Sequence, residues 1–581
     1  MPAGDPLPGT DLNPGQRAQA WRRLGEEQFD VVVIGGGVVG AGSALDAATR
    51  GLKVALVEAR DFASGTSSRS SKMFHGGLRY LEQLEFGLVR EALHERELSL
   101  TTLAPHLVKP LPFLFPLTNR LWERPYMAAG IFLYDQLGGA KSVPAQKHLT
   151  KAGALRLAPG LRRSSLIGGI RYYDTVVDDA RHTMTVARTA AHYGAVVRTS
   201  TQVVSLLREG DRVIGVRIRD SEDGAVTEVR GHVVVNATGV WTDEIQALSR
   251  QRGRFRVRAS KGVHVVVPRD RIVSEVAIIL RTEKSVLFVI PWGTHWIIGT
   301  TDTDWNLDLA HPAATKADID YILNHVNTVL ATPLTHDDID GVYAGLRPLL
   351  AGESEETSKL SREHAVASPA PGLVAIAGGK YTTYRVMAAD AIDAAAEFIP
   401  ARVAPSVTEK VPLVGADGYF ALINQTEHVG ERHGLHPYRI RHLLDRYGSL
   451  IDEVLAVAEQ EGAAPDLLSP ITDAPVYLKV EAAYAAMAEG ALHLEDILAR
   501  RMRISIEYPH RGVDCAREVA EVVAPYLGWS AADVDREVAT YTARVEAEVL
   551  SQTQPDDESA DALRVAAPEA RAEILEPVPL N

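Results

Sequence analysis

From Phe29 onward, short unbroken apolar runs alternate with longer stretches whose apolar residues recur every three to four positions. Val31 to Ile34 is the first such run, the pattern of a strand buried on both faces. Ala41 to Arg50 is helix-forming, Gly51 fits a helix C-cap, and Lys53 to Val57 reads as a second strand, so this stretch predicts one βαβ unit. DDARHTMTVARTAA, ending at Ala191, predicts a helix, and HYGAVVRTST returns to a strand. VVSLLRE, RVIGVRIRD and VTEVRGHVVVNATG predict further strands, separated by turns containing Gly and Asp. Runs at Val263 to Val267, Val286 to Ile290 and Trp296 to Thr300 extend a sheet outside the nucleotide fold. Leu373 to Gly379 predicts another buried strand and Thr382 to Phe398 a helix. After Pro400 the texture becomes helical, as in YRIRHLLDRYG, VEAAYAAMAEG and VDREVATYTARVEAEVL. The pattern thus predicts an α/β protein. A Rossmann-type dinucleotide-binding domain with an inserted, mainly antiparallel β-sheet substrate domain spans 29–400, and an all-α C-terminal domain spans 401–551. Residues 1–28 read as a flexible leader with one short basic amphipathic piece, Arg17 to Arg23, and the acid-rich residues 552–581 as a disordered tail.

Composition narrows the chemistry. Cys515 is the only cysteine, which excludes an internal disulfide, a Cys-based zinc site, an iron–sulfur ligand set and a redox dithiol within the chain. A reducing, cytoplasmic compartment fits that usage. The start, MPAGDPLPGTDLNPGQ, lacks the basic and apolar regions of a signal peptide, and no run of about 18 apolar residues predicts a spanning helix. A net charge of -14 argues against nucleic acid as a partner. Residues 101–163 depart from that balance, with nine Lys/Arg against Glu123 and Asp135, interleaved with Phe113, Phe115, Trp122, Tyr126, Phe132 and Tyr134. Such a stretch suits peripheral contact with an anionic membrane; the plainer reading is core aromatics beside exposed cations.

The strongest local motif is Gly35-Gly36-Gly37-Val38-Val39-Gly40 between a strand and a helix, with Glu58 at the end of the next strand. Gly35 permits the tight turn, Gly37 lets a pyrophosphate approach the backbone, and Gly40 lets helix and strand pack closely. The helix N-terminus favours the anion and Glu58 suits a ribose, which leaves NAD and FAD both open. Three later segments favour FAD. Ala237-Thr238-Gly239 is a small-residue turn ending a strand. Gly378-Gly379, followed by Thr382, offers backbone N–H groups to a flavin. SSRSSKMFHGGLRYLE supplies Ser70, Ser71, Gly76 and Gly77 in a polar loop. No metal constellation is found, since Asp302 and Asp304 in GTTDTDWN lack the glycine and glutamate of a cation loop.

Taken with YYDTVVDDAR, KGVHVVVP, GLRPL, TSKLSREH and GGKYTTYR, these segments resemble the FAD-dependent, respiratory glycerol-3-phosphate dehydrogenase family over most of residues 29–550. The resemblance implies non-covalent FAD, oxidation of sn-glycerol 3-phosphate to dihydroxyacetone phosphate, and electron delivery to a membrane quinone from the inner face of the cell membrane. It implies Arg79, Arg347 and Lys380 as substrate contacts, with Arg362 and Tyr80 beside them. A phosphate dianion calls for such fixed cations, and arginine forks suit it best. Hydride loss also requires a base for the hydroxyl proton, and His264 matches the family position. The catalytic set is therefore His264, Arg347 and Lys380, while His75 reads as a loop residue lining the flavin. Close alternatives are a glycerol-3-phosphate oxidase using oxygen and an amine or amino-acid oxidase of the same fold. A non-enzymatic flavin-stabilised interaction protein is the distant one. The oligomeric state is left open, a homodimer being the assembly considered.

Overall fold

A computed structural model describes residues 11–77, 79–82, 84–118, 123–138, 142–249, 255–282, 286–351 and 363–571. The first sheet has eight strands. Its central path runs His364–Ala370, Leu373–Gly378, Val226–Asn236, Gln28–Ile34, Val54–Val57, Val196–Arg198, parallel throughout except for the first pair. An antiparallel hairpin, Thr201–Glu209 with Arg212–Asp220, branches from Val226–Asn236. The two faces explain the unbroken apolar run. Val31 and Val33 pack toward the helices Val38–Thr49, Asp179–His192 and Tyr384–Ala396, whereas Val32 and Ile34 meet Ala20, Leu24 and the hairpin residues Val216 and Ile218.

The second sheet has ten strands and is interleaved in sequence with the first. Met73–Phe74, Val108–Leu117, Lys147–Thr150 and Gly168–Val177 are inserted after Val54–Val57, and the six strands from Val257 to Leu350 after Val226–Asn236. Among the described residues its pairs are antiparallel apart from Ala277–Arg281 with Val108–Leu117. One face packs on the helix Lys316–Val326; the other packs on Phe86–Leu98 and Glu123–Gly138.

Three features differ from the sequence reading. The leader is not flexible from Asp11 on. Asn13 caps a helix, Pro14–Glu26, by accepting from the Gln16 N–H at 2.8 Å, Ala20 and Leu24 are buried, and Arg17 pairs with Asp220 at 2.8 Å. The acidic tail is folded over its described part, 552–571, because the body supplies cations for it, and 572–581 lie outside the described residues. Asp557, opening the helix Asp557–Ala566, pairs with Lys261, Glu569 meets Arg60 and Arg544, and Arg571 is buried against Asp496 at 2.7 Å. The C-terminal unit is helical with one exception, a hairpin of Pro470–Ile471 and Ala474–Leu478. The basic stretch divides. Phe113, Phe115 and Tyr134 are core residues, Tyr126 and Phe132 are 46% and 57% exposed, and Trp122 lies outside the described residues. Among the described residues no helix is long and apolar enough to cross a membrane.

Candidate active site

A cavity of about 920 Å³ runs between the two sheets, from the glycine turn at Gly35 to His264 and Arg347. At the first end Gly35 adopts φ +108°, a conformation that favours glycine, and a Cβ there would lie 2.8 Å from the Ala237 carbonyl oxygen. Gly37 caps the helix Val38–Thr49 and lines the cavity. Gly40 stands behind the wall, where a Cβ would sit 1.9 Å from the Gly35 carbonyl oxygen; its part is the close packing of helix on turn. Glu58 accepts from the N–H groups of Gly36 at 2.5 Å and Arg60 at 2.8 Å. Burial pushes its carboxyl up from the usual range against the pull of those bonds. Each oxygen retains a second lone pair for a ribose hydroxyl.

Ala237 and Gly239 line the middle, with Gly239 at φ +60°. At the end of the adjacent parallel strand Gly378 and Gly379, at φ +79° and +75°, carry the chain into the turn Tyr381–Thr383. Thr382 lines the cavity and its Oγ1 takes the His75 N–H at 3.2 Å. His75, Ser70, Ser71 and Gly77 are also in the wall. Gly76 is not among the lining residues, contrary to its expected place at the cofactor. Its N–H donates to the Tyr134 hydroxyl at 2.7 Å, and a Cβ would strike Leu93 at 2.6 Å, so it is a packing position.

Strand register builds the far end. In the antiparallel pair Val257–Pro268 with Gly341–Leu350, Ser260 faces Arg347, Gly262 faces Gly345 and His264 faces Tyr343. These rungs share a sheet face about 6.7 Å apart. The middle rung carries no side chains, and the Arg347 guanidinium lies back over it: a Cβ on Gly262 would be 2.6 Å from Arg347 Nη2. Arg347 donates to Thr300 Oγ1 at 3.2 Å and to the Thr301 carbonyl at 3.1 Å. The neighbouring strand places Gly299 beside His264, where a Cβ would meet the imidazole at 2.3 Å. His264 is buried, stacks on Tyr343 at 4.7 Å with 12° between planes, and has Nε2 2.9 Å from Ser71 Oγ. Its Nδ1 makes no hydrogen bond among the described residues. Burial, then the charges of Arg347 and Lys72, hold its pKa well below the ordinary value. Lys380 Nζ lies 3.6 Å over the Tyr80 ring, and Tyr80 is packed on Gly77, whose absent Cβ would sit 2.2 Å from that ring.

Of the expected cations, Arg347 and Lys380 therefore line the same cavity as His264. Arg79 opens the helical turn Arg79–Glu82, but its side chain, like the whole of Arg362, lies outside the described residues. The carboxylates of GTTDTDWN are held by other groups: Asp302 accepts from Ser260 Oγ at 2.5 Å and Asp304 pairs with Arg258 at 2.7 Å. Sequence reasoning missed Arg69 and Arg281 in the wall, and Ser67, whose Oγ accepts the Val38 N–H at 3.0 Å. Ser67 and Arg69 stand at the head of the recognised serine loop, a signal that was available. Burial pushes the Arg69 guanidinium down to about 10.

The elongated cavity fits FAD. Its first end is a glycine cradle with a helix N-terminus, its middle is backbone bared by glycines, and its far end carries cations and a neutral imidazole. Comparison with known proteins agrees. The FAD-dependent oxidoreductase family model matches residues 30–385, and a model of the C-terminal domain of alpha-glycerophosphate oxidase matches residues 406–534. The chain is 86% identical over 578 residues to glycerol-3-phosphate dehydrogenase 2 of Mycobacterium bovis, covering 100% of this chain and 98% of that one. It is 35% identical to the human mitochondrial glycerol-3-phosphate dehydrogenase, covering 91% of this chain and 75% of that one. The solved structure of the glycerol-3-phosphate dehydrogenase from Bacillus halodurans complexed with FAD superposes with a TM-score of 0.77 at 29% identity, covering 92% of this chain and 98% of that one. With its cradle, its cofactor FAD and its helical C-terminal unit all accounted for in these relatives, the chain belongs to the FAD-dependent glycerol-3-phosphate dehydrogenase family.

Proposed function

We propose that the protein oxidises sn-glycerol 3-phosphate to dihydroxyacetone phosphate and passes the electrons to a membrane quinone. The observation that carries this reading is the meeting of Arg347, Lys380 and a neutral His264 in the cavity that begins at the dinucleotide cradle. Arg347 and Lys380 bind the phosphate, with Arg79 and Arg362 as further cations and Tyr80 supporting Lys380 from below. The phosphate thereby fixes the substrate, and its C2 hydroxyl is brought to His264. The imidazole takes that proton, and the contact between Ser71 Oγ and its Nε2 holds the ring's orientation. Burial and the neighbouring cations keep His264 unprotonated and ready at neutral pH. Bound FAD supplies the hydride acceptor, and the buried wall around His264 keeps bulk water from the reacting carbon.

The acceptor half rests on separate supports. Burial pushes the single thiol, Cys515, up to about 12, so the chain offers no cysteine relay and electrons leave the flavin for an external acceptor. Exposed Tyr126 and Phe132 share a helix with Met127, which lines the cavity, and exposed Phe86 begins the adjoining helix. This supports peripheral docking on the inner face of an anionic membrane, near the cavity. A second reading, an oxidase delivering electrons to oxygen, is favoured by the match of residues 406–534 to the oxidase C-terminal domain.

Anaerobic titration tests the first half: glycerol 3-phosphate should bleach the flavin absorbance, while glycerol and amino acids should not. Failure of the phosphate ester to reduce the flavin overturns the substrate assignment. Under air, about one peroxide per turnover would transfer the assignment to the oxidase.

A further inference from the structure

The two contacts that orient His264, the Ser71 hydroxyl and the Tyr343 ring, are both governed by one loop. Ser71 belongs to it, and the Tyr343 hydroxyl donates to the Ser70 carbonyl at 3.0 Å. Within this loop Lys72 is held at φ +55°, a conformation that non-glycine residues adopt only when their surroundings impose it. The surroundings are a buried cluster of two carboxylates and two cations. Asp179 accepts at Oδ2 from the Ser70 N–H at 2.9 Å and from Ser70 Oγ at 2.7 Å, and at Oδ1 from Lys72 Nζ at 3.0 Å. Arg503 Nη2 donates to the same Oδ1, its Nε to Asp178 at 2.9 Å, and its Nη1 to the Ser68 carbonyl at 3.2 Å. Arg503 comes from the C-terminal helical unit, where it follows the π-helical turn Asp496–Met502 at φ +99°. Asp179 also reaches the opposite wall, since its carbonyl accepts from the Tyr381 hydroxyl at 2.7 Å, next to Lys380.

We propose that Asp179 and Arg503 are positioning residues for His264, and that the C-terminal helical unit thereby takes part in the reaction by fixing the loop that orients the base. The inference rests on the reading of His264 as base. Neither Asp179 nor Arg503 lines the cavity, so their effect travels through Ser70, Ser71 and Tyr343. A ring displaced by a fraction of an ångström still leaves the phosphate site formed, because Arg347 is anchored separately on Thr300 and Thr301. The effect therefore falls on the reduction step and spares binding.

The test is anaerobic stopped-flow reduction of the FAD-loaded enzyme by glycerol 3-phosphate. Arg503→Met should lower the limiting rate on the order of tenfold or more, with the half-saturating concentration changed by less than about twofold and FAD content unchanged. Arg503→Lys, which restores a cation, should recover most of that loss. In a His264→Ala background, Arg503→Met should add no further slowing, because no ring is left to orient. If Arg503→Met does not retain FAD, Ser70→Ala carries the same comparison, since it cuts a link to Asp179 without unpairing a buried charge. An unchanged limiting rate in Arg503→Met or Ser70→Ala overturns the inference. Additive slowing on His264→Ala overturns it while leaving the base assignment standing, whereas a His264→Ala variant that reduces at the full rate removes both.

Discussion

Arg347 lies one bare rung from His264, and its charge acts on the imidazole; in the proposed function it also binds the substrate phosphate. Arg347→Met should weaken substrate binding by about 1.5–3 kcal/mol, or roughly 10–100-fold, with FAD content intact. The same variant has a signature in pH. With a positive neighbour gone, the depressed pKa of His264 rises, so the acid limb of flavin reduction moves to higher pH. A limb that stays in place while affinity falls would separate Arg347 from the base. That His264, Arg347 and Lys380 share one cavity was legible in the sequence because each sits in a compact motif with glycine or aromatic neighbours. The hydrogen bond between Ser71 and His264 was not, since it joins a loop residue to a strand residue 193 positions away, a contact that no local pattern records. Gly76 shows the converse, a glycine inside the right motif that serves packing against Leu93.

At the scale of elements, the glycine turn and the helix after it form one unit with no slack at Gly40. Gly40→Ala should push the turn out of shape, with an overpacking cost of about 1–3 kcal/mol and a purified protein depleted in FAD. Full flavin content with an unchanged melting temperature would contradict the close packing. The strand Gln28–Ile34 was readable because both its faces are buried. The helix Pro14–Glu26 was obscured by the Gly- and Pro-rich start, although Asn13-Pro14 is a good helix-opening pair. The tail misled for an electrostatic reason. Its acids look mutually repelling in sequence, whereas in the fold they are dispersed onto Lys261, Arg60 and Arg544.

Across the molecule, buried ion pairs tie the first domain, the C-terminal unit and the tail together. Asp61 binds Arg500 and Arg501, Asp496 binds Arg500 and Arg571, and His493 lies between Glu222 and Glu537. Burial and Arg571 would lower the His493 pKa, but hydrogen bonds to the two carboxylates outweigh them and raise it to about 9. A raised pKa contributes stability that is fully present below the unfolded value near 6.5 and is lost as pH rises through about 9, at most about 3 kcal/mol. The melting temperature should therefore fall between pH 7 and 9.5 in the parent protein, and His493→Gln should flatten that slope. Equal slopes in the two would remove His493 as the origin.

The interleaving of the two sheets bears on how the protein is made. The strand that delivers Gly35 is flanked by Val226–Asn236, and that strand in turn by Leu373–Gly378. On the ribosome, at about 5–20 residues per second, tens of seconds separate the emergence of the cradle from that of the strand completing its sheet. Throughout that interval the sheet keeps an unpaired apolar edge, and the cavity wall formed by Gly378 and Gly379 is missing until the last of these strands has emerged.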